Sequence, residues 1–201
     1  MTASASLRDV IGLGSRLPRL DESTLVMIDF QNTYRAGVMA LEGAEQALAA
    51  GVRLLAAARA VGAPVIHVVN DGGEGSPYDI RAEIGSISDE VAPLTGEPVV
   101  VKHFPNAFHD TGLEELLRNL DAGPDLVIAG FMTHMCVTFT AQGAFNLGYR
   151  PTVVAEATAT RALTTPDGDV LSAATLRTAA LTTVIDLFGT VAPTVDSLRP
   201  S

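Results

Sequence analysis

The apolar positions fall into two kinds of run. Leu25-Val26-Met27-Ile28 is continuously apolar, preceded by Thr24 and closed by Asp29-Phe30. A run without alternation is what a parallel strand covered on both faces requires. Similar runs occupy 64–70, 97–102, 126–130 and 152–155, with a shorter one over 189–191. Between them lie segments with apolar residues at helical spacing. The first spans 44–60, is rich in Ala and Leu, and is stopped by Gly62-Ala63-Pro64. Others are expected over 113–120, over 136–147 with Gly148 at the C-terminal end, and over 173–187. Strands alternating with helices predict an α/β fold: a parallel sheet, helices on both faces, right-handed crossovers.

Two stretches stand outside this alternation. Residues 1–22 read as an N-terminal arm, packing on the domain or on a neighbouring subunit. Residues 71–95 form the longest irregular segment, with several glycines and the acids Asp71, Glu74, Asp79, Glu83, Asp89 and Glu90. A short helix is expected near 79–84. The segment is either a lid or binding loop, or a solvated face. No repeat or low-complexity tract divides the chain, so a single domain is expected over 23–195, with a tail over 196–201.

The chain has 201 residues, of which 47% are hydrophobic and 18% charged, with a net charge of −10. That composition supports one full-sized core. The negative charge disfavours nucleic-acid phosphate and anionic lipid as partners, and is compatible with a cationic substrate. No run approaches the ~18 apolar residues of a membrane span. The first twenty residues hold three arginines but no apolar stretch of the kind a secretory signal needs. With one cysteine there is no intrachain disulfide, and a cytoplasmic location is expected. The apolar helix at 136–147 and the apolar segment at 173–188 exceed what one domain buries, which points to a homo-oligomer, dimer or tetramer.

Three strand ends carry candidate chemistry. Asp29 closes the first, Lys102 closes the third, and Cys136 follows the fourth after a break at Gly130. Open α/β sheets hold ligands at the C-terminal ends of their strands. Gly130 permits a sharp turn, and a cysteine near a helix N-terminus is expected to favour the thiolate. Each residue has a plainer reading. Asp29 caps a turn, Lys102 is solvated, and Cys136 is a buried, inert thiol. Their matching positions favour a nucleophilic thiol with Asp29 as its base and Lys102 as the electrostatic partner of both. His67, inside the second strand, reads as a core histidine.

Asp29-Phe30-Gln31-Asn32, Val101-Lys102-His103-Phe104 and Gly130-Phe131-Met132-Thr133-His134-Met135-Cys136-Val137 resemble the isochorismatase-like cysteine hydrolases. The resemblance covers about residues 22–192. It implies a three-layer α-β-α, Rossmann-like domain with a six-stranded parallel sheet in the order 3-2-1-4-5-6. It implies an Asp29, Lys102 and Cys136 triad and a cis peptide at Phe131–Met132. It also implies an oxyanion hole from the backbone N–H groups of Met132 and Cys136, and a pocket wall that includes Tyr34. Phe104 and Phe108 join that wall only because they follow Lys102.

The departures shape the activity. Metal-dependent nicotinamidases carry an Asp-x-His pair and a further His after the second strand; here that region reads Asn70-Asp71-Gly72-Gly73-Glu74, so neither a metal nor another cofactor is expected. His103, His109 and Asp110 are the one alternative ligand set. The vinyl-ether-cleaving isochorismatases lack the cysteine, so Cys136 argues for hydrolysis of an amide or lactam C–N bond in a small molecule. The acid-rich loop suggests a larger or cationic substrate, as in streptothricin hydrolases. The alternatives are vinyl-ether hydrolysis on the same scaffold and a non-catalytic binding protein.

Overall fold

In the computed structural model, which describes residues 3–198, strands and helices alternate over most of the chain. Residues 1–2 of the expected arm and 199–201 of the expected tail lie outside the described residues. The strands are β1 (Thr24–Ile28), β2 (Val65–Asn70), β3 (Val99–Lys102), β4 (Asp125–Phe131), β5 (Arg150–Ala159), β6 (Leu163–Thr164), β7 (Val170–Leu171) and β8 (Thr190–Ala192). The helices are α1 (Leu7–Val10), α2 (Ala44–Ala60), α3 (Leu113–Asn119), α4 (Thr138–Asn146) and α5 (Ala173–Thr183). The main sheet is parallel, six-stranded, and ordered β3-β2-β1-β4-β5-β8. That is the expected order, with the short β6–β7 hairpin inserted before the last strand.

Successive side chains of a strand point to opposite faces, and here each face has its own core. Leu25, Met27, Val127, Ala129 and Val154 pack with Leu48, Leu54, Leu55 and Ala58 of α2. Val26, Ile28, Ile66, Leu126, Ile128 and Val153 pack on the other side with Leu113 and Leu117 of α3, Ala141 and Ala144 of α4, and Leu181 of α5. Burial on both sides explains why β1 and β4 read as unbroken apolar runs. His67 is buried, with Nε2 2.9 Å from Glu97 Oε2, and Glu97 in turn binds Arg59. It is a core histidine.

Four elements differ from expectation. β5 runs to Ala159, because Glu156, which interrupts its apolar run, reaches out to Arg53 and the Val195 N–H. Ile128 pairs with Val153 but Gly130 with Thr158, so two steps along β4 face five along β5, a wide bulge. The expected helices at 136–147 and 173–187 each contain a π-helical turn, Thr133–Val137 before α4 and Val184–Phe188 after α5. No helix forms at 79–84. Asp79 instead binds the Gly75 N–H and Arg81, while Gly85 lies so close to the Asp79 backbone that a Cβ would stand 2.2 Å from its carbonyl oxygen. Only 3-10 turns appear, at Glu83–Gly85 and Asp89–Val91. In the arm, the Leu7 N–H binds the Asp186 carboxylate and Arg8 binds the Leu187 carbonyl, so that segment rests on its own chain. Among the described residues no helix is long and apolar enough to cross a membrane.

Candidate active site

β1 ends where its last residue meets a backbone constraint from β4. Gly130 has φ 134, and a Cβ there would stand 1.8 Å from the Ile28 carbonyl oxygen. Only glycine permits that approach. The next residue on the β1 side, Asp29, takes φ 51, a left-handed conformation that aspartate tolerates better than most residues. Its N–H donates to the Val68 carbonyl at 2.8 Å and its carbonyl accepts from the Gln31 N–H at 2.7 Å. The chain therefore leaves the sheet sharply, with the Asp29 carboxylate fully buried.

Lys102 ends β3, two strands from β1 in the sheet. At about 4.8 Å per strand spacing, its side chain must span about 10 Å across β2, and lysine is long enough. Its Nζ lies 2.8 Å from Asp29 Oδ2 and donates to Cys136 Sγ at 3.3 Å and to Asn70 Oδ1, on the intervening β2, at 3.4 Å. The contact with Asp29 is a fully buried ion-pair contact. Cys136 sits in the π-helical turn after β4 and is 7% exposed. The peptide bond between Phe131 and Met132, just before that turn, is cis. The structure thus brings Asp29, Lys102 and Cys136 together.

Electrostatics at the site differ from expectation in one respect. Burial pushes the Cys136 thiol up to about 12, and the Asp29 carboxylate pushes in the same direction, against Lys102. α4 starts only at Thr138, so the thiol lies inside a turn rather than ahead of a helix N-terminus. Burial also raises the Asp29 carboxyl above its ordinary value, against the pull of Lys102. Burial would lower Lys102, but Asp29 and Cys136 outweigh it and keep the ammonium charged. These shifts favour a neutral thiol at rest, beside the close contact of Lys102 Nζ with Asp29. A second negative charge next to Asp29 is what the site resists.

Tyr34 is buried, its ring 5.5 Å from that of Phe131 and 5.7 Å from that of Tyr78, and burial raises its hydroxyl well above the ordinary value, with Asp29 and Cys136 adding to the effect. The other two expected wall residues have their ring contacts outside this group. Phe104 is 46% exposed, with its ring on His109. Phe108 stacks on Tyr149, which directly precedes β5 and so lies at the N-terminal edge of the sheet, opposite Cys136. His103 binds the Asp71 carbonyl, and among the described residues no three His, Cys, Asp or Glu side chains cluster to hold a metal.

The 71–95 segment lies against the site, and its acids are paired, bound to backbone or exposed. Asp71 accepts from the Gly73 N–H, Asp79 pairs with Arg81, Glu90 pairs with Arg35, and Glu74, Glu83 and Asp89 are exposed. Sequence reasoning passed over the residues that fasten this segment. Buried Gln31 donates to the carbonyls of Asn70 and Gly85 and accepts from the Asn70 N–H. Asn32 donates to the Glu83 carbonyl and accepts from the Ser88 hydroxyl. Two amides directly after a strand-end aspartate were the available signal. Tyr78, whose ring packs on Tyr34, was also missed, and it has no local motif.

The isochorismatase domain model matches residues 23–187. An isochorismatase crystal structure from Pseudomonas putida KT2440 is similar over 98% of this chain and 100% of that one, at 37% identity and a TM-score of 0.93. The secreted isochorismatase effector Isc1 of Verticillium dahliae is 33% identical over 193 residues, covering 96% of this chain and 98% of its own. A streptothricin hydrolase of Streptomyces noursei is 35% identical over 136 residues, 68% of this chain; that match spans 49% of the relative, about half its length. A family match over most of the chain, on a sheet of the same order and with close structural likeness along its whole length, leaves one conclusion: the chain belongs to the isochorismatase family of hydrolases.

Proposed function

We propose that this hydrolase cleaves a C–N bond of a small amide or lactam through a thioester on Cys136. The observation that carries the reading is the buried contact of Lys102 Nζ with both Asp29, at 2.8 Å, and the Cys136 thiol, at 3.3 Å. The similarity to a streptothricin hydrolase supports C–N cleavage as the reaction class. Asp29 takes the thiol proton as sulfur attacks the carbonyl carbon, so no free thiolate accumulates. The carbonyl electrons move onto oxygen, which accepts from the backbone N–H groups of Met132 and Cys136. Collapse expels the amine, which takes the proton from Asp29. Water then attacks the thioester, Asp29 accepts its proton, and the departing sulfur regains a proton as the acid forms. Lys102 keeps its charge throughout. No step calls on a metal or cofactor.

The test pairs wild type with Cys136→Ala on a panel of small amides and lactams, with mass spectrometry of the quenched enzyme. Turnover lost in the variant, and a mass gain on the Cys136 peptide matching the acyl group, are the expected results. Amide turnover that survives Cys136→Ala would refute the thioester, and turnover of a vinyl ether but of no amide, undiminished in Cys136→Ala, would replace this reading with vinyl-ether hydrolysis. We also propose a homo-oligomer, dimer or tetramer, because Phe139, Leu147 and Ile185 are exposed on α4 and the two segments beyond the helices. Light scattering after size exclusion decides it. A cytoplasmic location is proposed from the lone cysteine; since the fungal relative is a secreted effector, cell fractions and culture medium are both assayed.

A further inference from the structure

The strand between Asp29 and Lys102 ends in a side chain that the reaction leaves unused. Asn70 is the last residue of β2, which lies between β1 and β3, and it is the register partner of Lys102. The lysine stem crosses the end of β2 to reach Asp29, and its Nζ donates to Asn70 Oδ1 at 3.4 Å. An ammonium accepts no hydrogen bond, so the Asn70 amide can present only its oxygen there. Lys102 is fully buried, so its N–H groups depend on protein acceptors. The ammonium sits among the Asp29 carboxylate at 2.8 Å, the Cys136 sulfur at 3.3 Å and the Asn70 side-chain carbonyl. Asn70 is the one of these that neither gains nor loses charge in the proposed reaction.

Asn70 is itself held. Its N–H donates to Gln31 Oε1 at 3.1 Å and its backbone carbonyl accepts from Gln31 Nε2 at 2.9 Å, so the buried Gln31 amide pairs with that backbone as a neighbouring strand would. The next residue, Asp71, donates its N–H to the Lys102 carbonyl at 3.0 Å, and its carboxylate turns onto the Gly73 N–H. The backbone on either side of the Asn70 side chain is thereby fixed. The neighbouring carboxylate of Asp71 is engaged away from the ammonium, and the ion-pair contact of Lys102 is with Asp29.

We propose that Asn70 is a positioning residue for the chemistry of Cys136: its side-chain carbonyl anchors the Lys102 ammonium between Asp29 and the sulfur, and its neutrality leaves the ammonium's charge to those two. This deepens, and rests on, the amide-hydrolase reading. An amide that only capped the strand end would be replaced without loss by a carboxylate, which accepts from an ammonium more strongly. For an anchor the same replacement is harmful. The new carboxylate competes with the sulfur for the ammonium, and it adds a second negative charge to the one by which Asp29 already opposes the thiolate.

The test compares wild type with Asn70→Asp, Asn70→Leu and Asn70→Gln in the full chain, after urea unfolding has established that each folds. Asn70→Asp keeps the shape of the side chain and carries the test if Asn70→Leu does not fold. Alkylation of Cys136 by iodoacetamide at pH 8 reads the thiolate without any substrate. A rise of about 1 unit in the thiol, the low end for a neighbouring like charge, cuts the thiolate fraction about 10-fold, and the Brønsted slope returns about 3-fold of that. Asn70→Asp is therefore expected to react about 3-fold more slowly than wild type. On an amide or lactam that wild type turns over, kcat is expected to fall ~10-fold or more in Asn70→Asp and Asn70→Leu at unchanged KM, and to recover in part in Asn70→Gln. Alkylation of Asn70→Asp as fast as wild type overturns the assignment. So does a kcat unmoved in both Asn70→Asp and Asn70→Leu, or a rise in KM alone, which would make Asn70 a substrate contact instead. Slower alkylation of Asn70→Asp, with no amide or lactam hydrolysed by wild type, sustains the anchoring of the ammonium and refutes the hydrolase reading.

Discussion

Replacing Asp29 by asparagine should make the Cys136 thiol more acidic while stopping catalysis. In the wild-type site the thiol stands at about 12, raised by burial and by the neighbouring carboxylate. The asparagine would keep the shape and remove the charge. A unit charge at ~4 Å and an effective dielectric constant of ~20 is worth about 4 kcal/mol, an upper figure because Lys102 offsets part of it. Neighbouring charges ordinarily move a pKa by about 1–3 units, so a fall of about 2 units is expected. The buried Lys102 ammonium, 3.3 Å from Sγ, would then have the thiolate as its counter-ion.

The assay is alkylation by iodoacetamide as a function of pH. At pH 8 the thiolate fraction would rise about 100-fold for a 2-unit fall. A less basic thiolate is a poorer nucleophile, and a Brønsted slope of ~0.4–0.5 returns roughly a factor of 8 of that gain. The net expectation is about 10-fold faster alkylation at pH 8, with a midpoint about 2 units lower. The midpoint is the cleaner reading, because access to a thiol that is 7% exposed affects the rate and not the titration. Lys102→Met should move the midpoint the other way. An unmoved midpoint in Asp29→Asn would mean that the proton already resides on Asp29 and the sulfur is ionised at rest. A neutral thiol beside a lysine–aspartate ion pair would then be the wrong resting state.

Two further outcomes test the fold. Gly130→Ala would drive a Cβ to 1.8 Å from the Ile28 carbonyl at a φ of 134, so a loss of about 3 kcal/mol or more is expected in urea unfolding, beyond ordinary overpacking. Glu97 is lowered from 4.5 to about 2, by Arg59 first, despite its burial, with the Leu94 N–H and His67 adding to the effect. Its folded value is depressed, so its contribution is present above pH 4.5 and lost as pH falls through about 2. At 1.36 kcal/mol per unit that is about 3 kcal/mol at most, and Glu97→Gln should flatten melting temperature against pH in that window.

The sheet was legible because burial on both faces leaves a mark that needs no partner: continuous apolar runs at β1, β2 and β4, each closed by glycine or a polar residue. Asp29, Lys102 and Cys136 were legible as strand-end residues for the same reason. The β6–β7 hairpin was legible in principle from Thr165-Pro166-Asp167-Gly168, a Pro-Asp-Gly turn, and was overlooked because its strands are only two residues each. The length of β5 was not legible, since it depends on a bulge between two strands. Phe104 and Phe108 were less legible, since position along the chain fixes direction only while the chain is in a strand and both follow the end of β3.

The acids of the 71–95 segment show a different limit, and it bears on substrate choice. Composition counts charges, whereas a ligand meets only those left unpaired. Asp79 is spent on Arg81 and the Gly75 N–H, Glu90 on Arg35, and Asp71 on a backbone turn, so an acid-rich loop contributes little negative potential toward Cys136. The net charge of −10 therefore bears on the solubility of the chain more than on what binds beside the thiol.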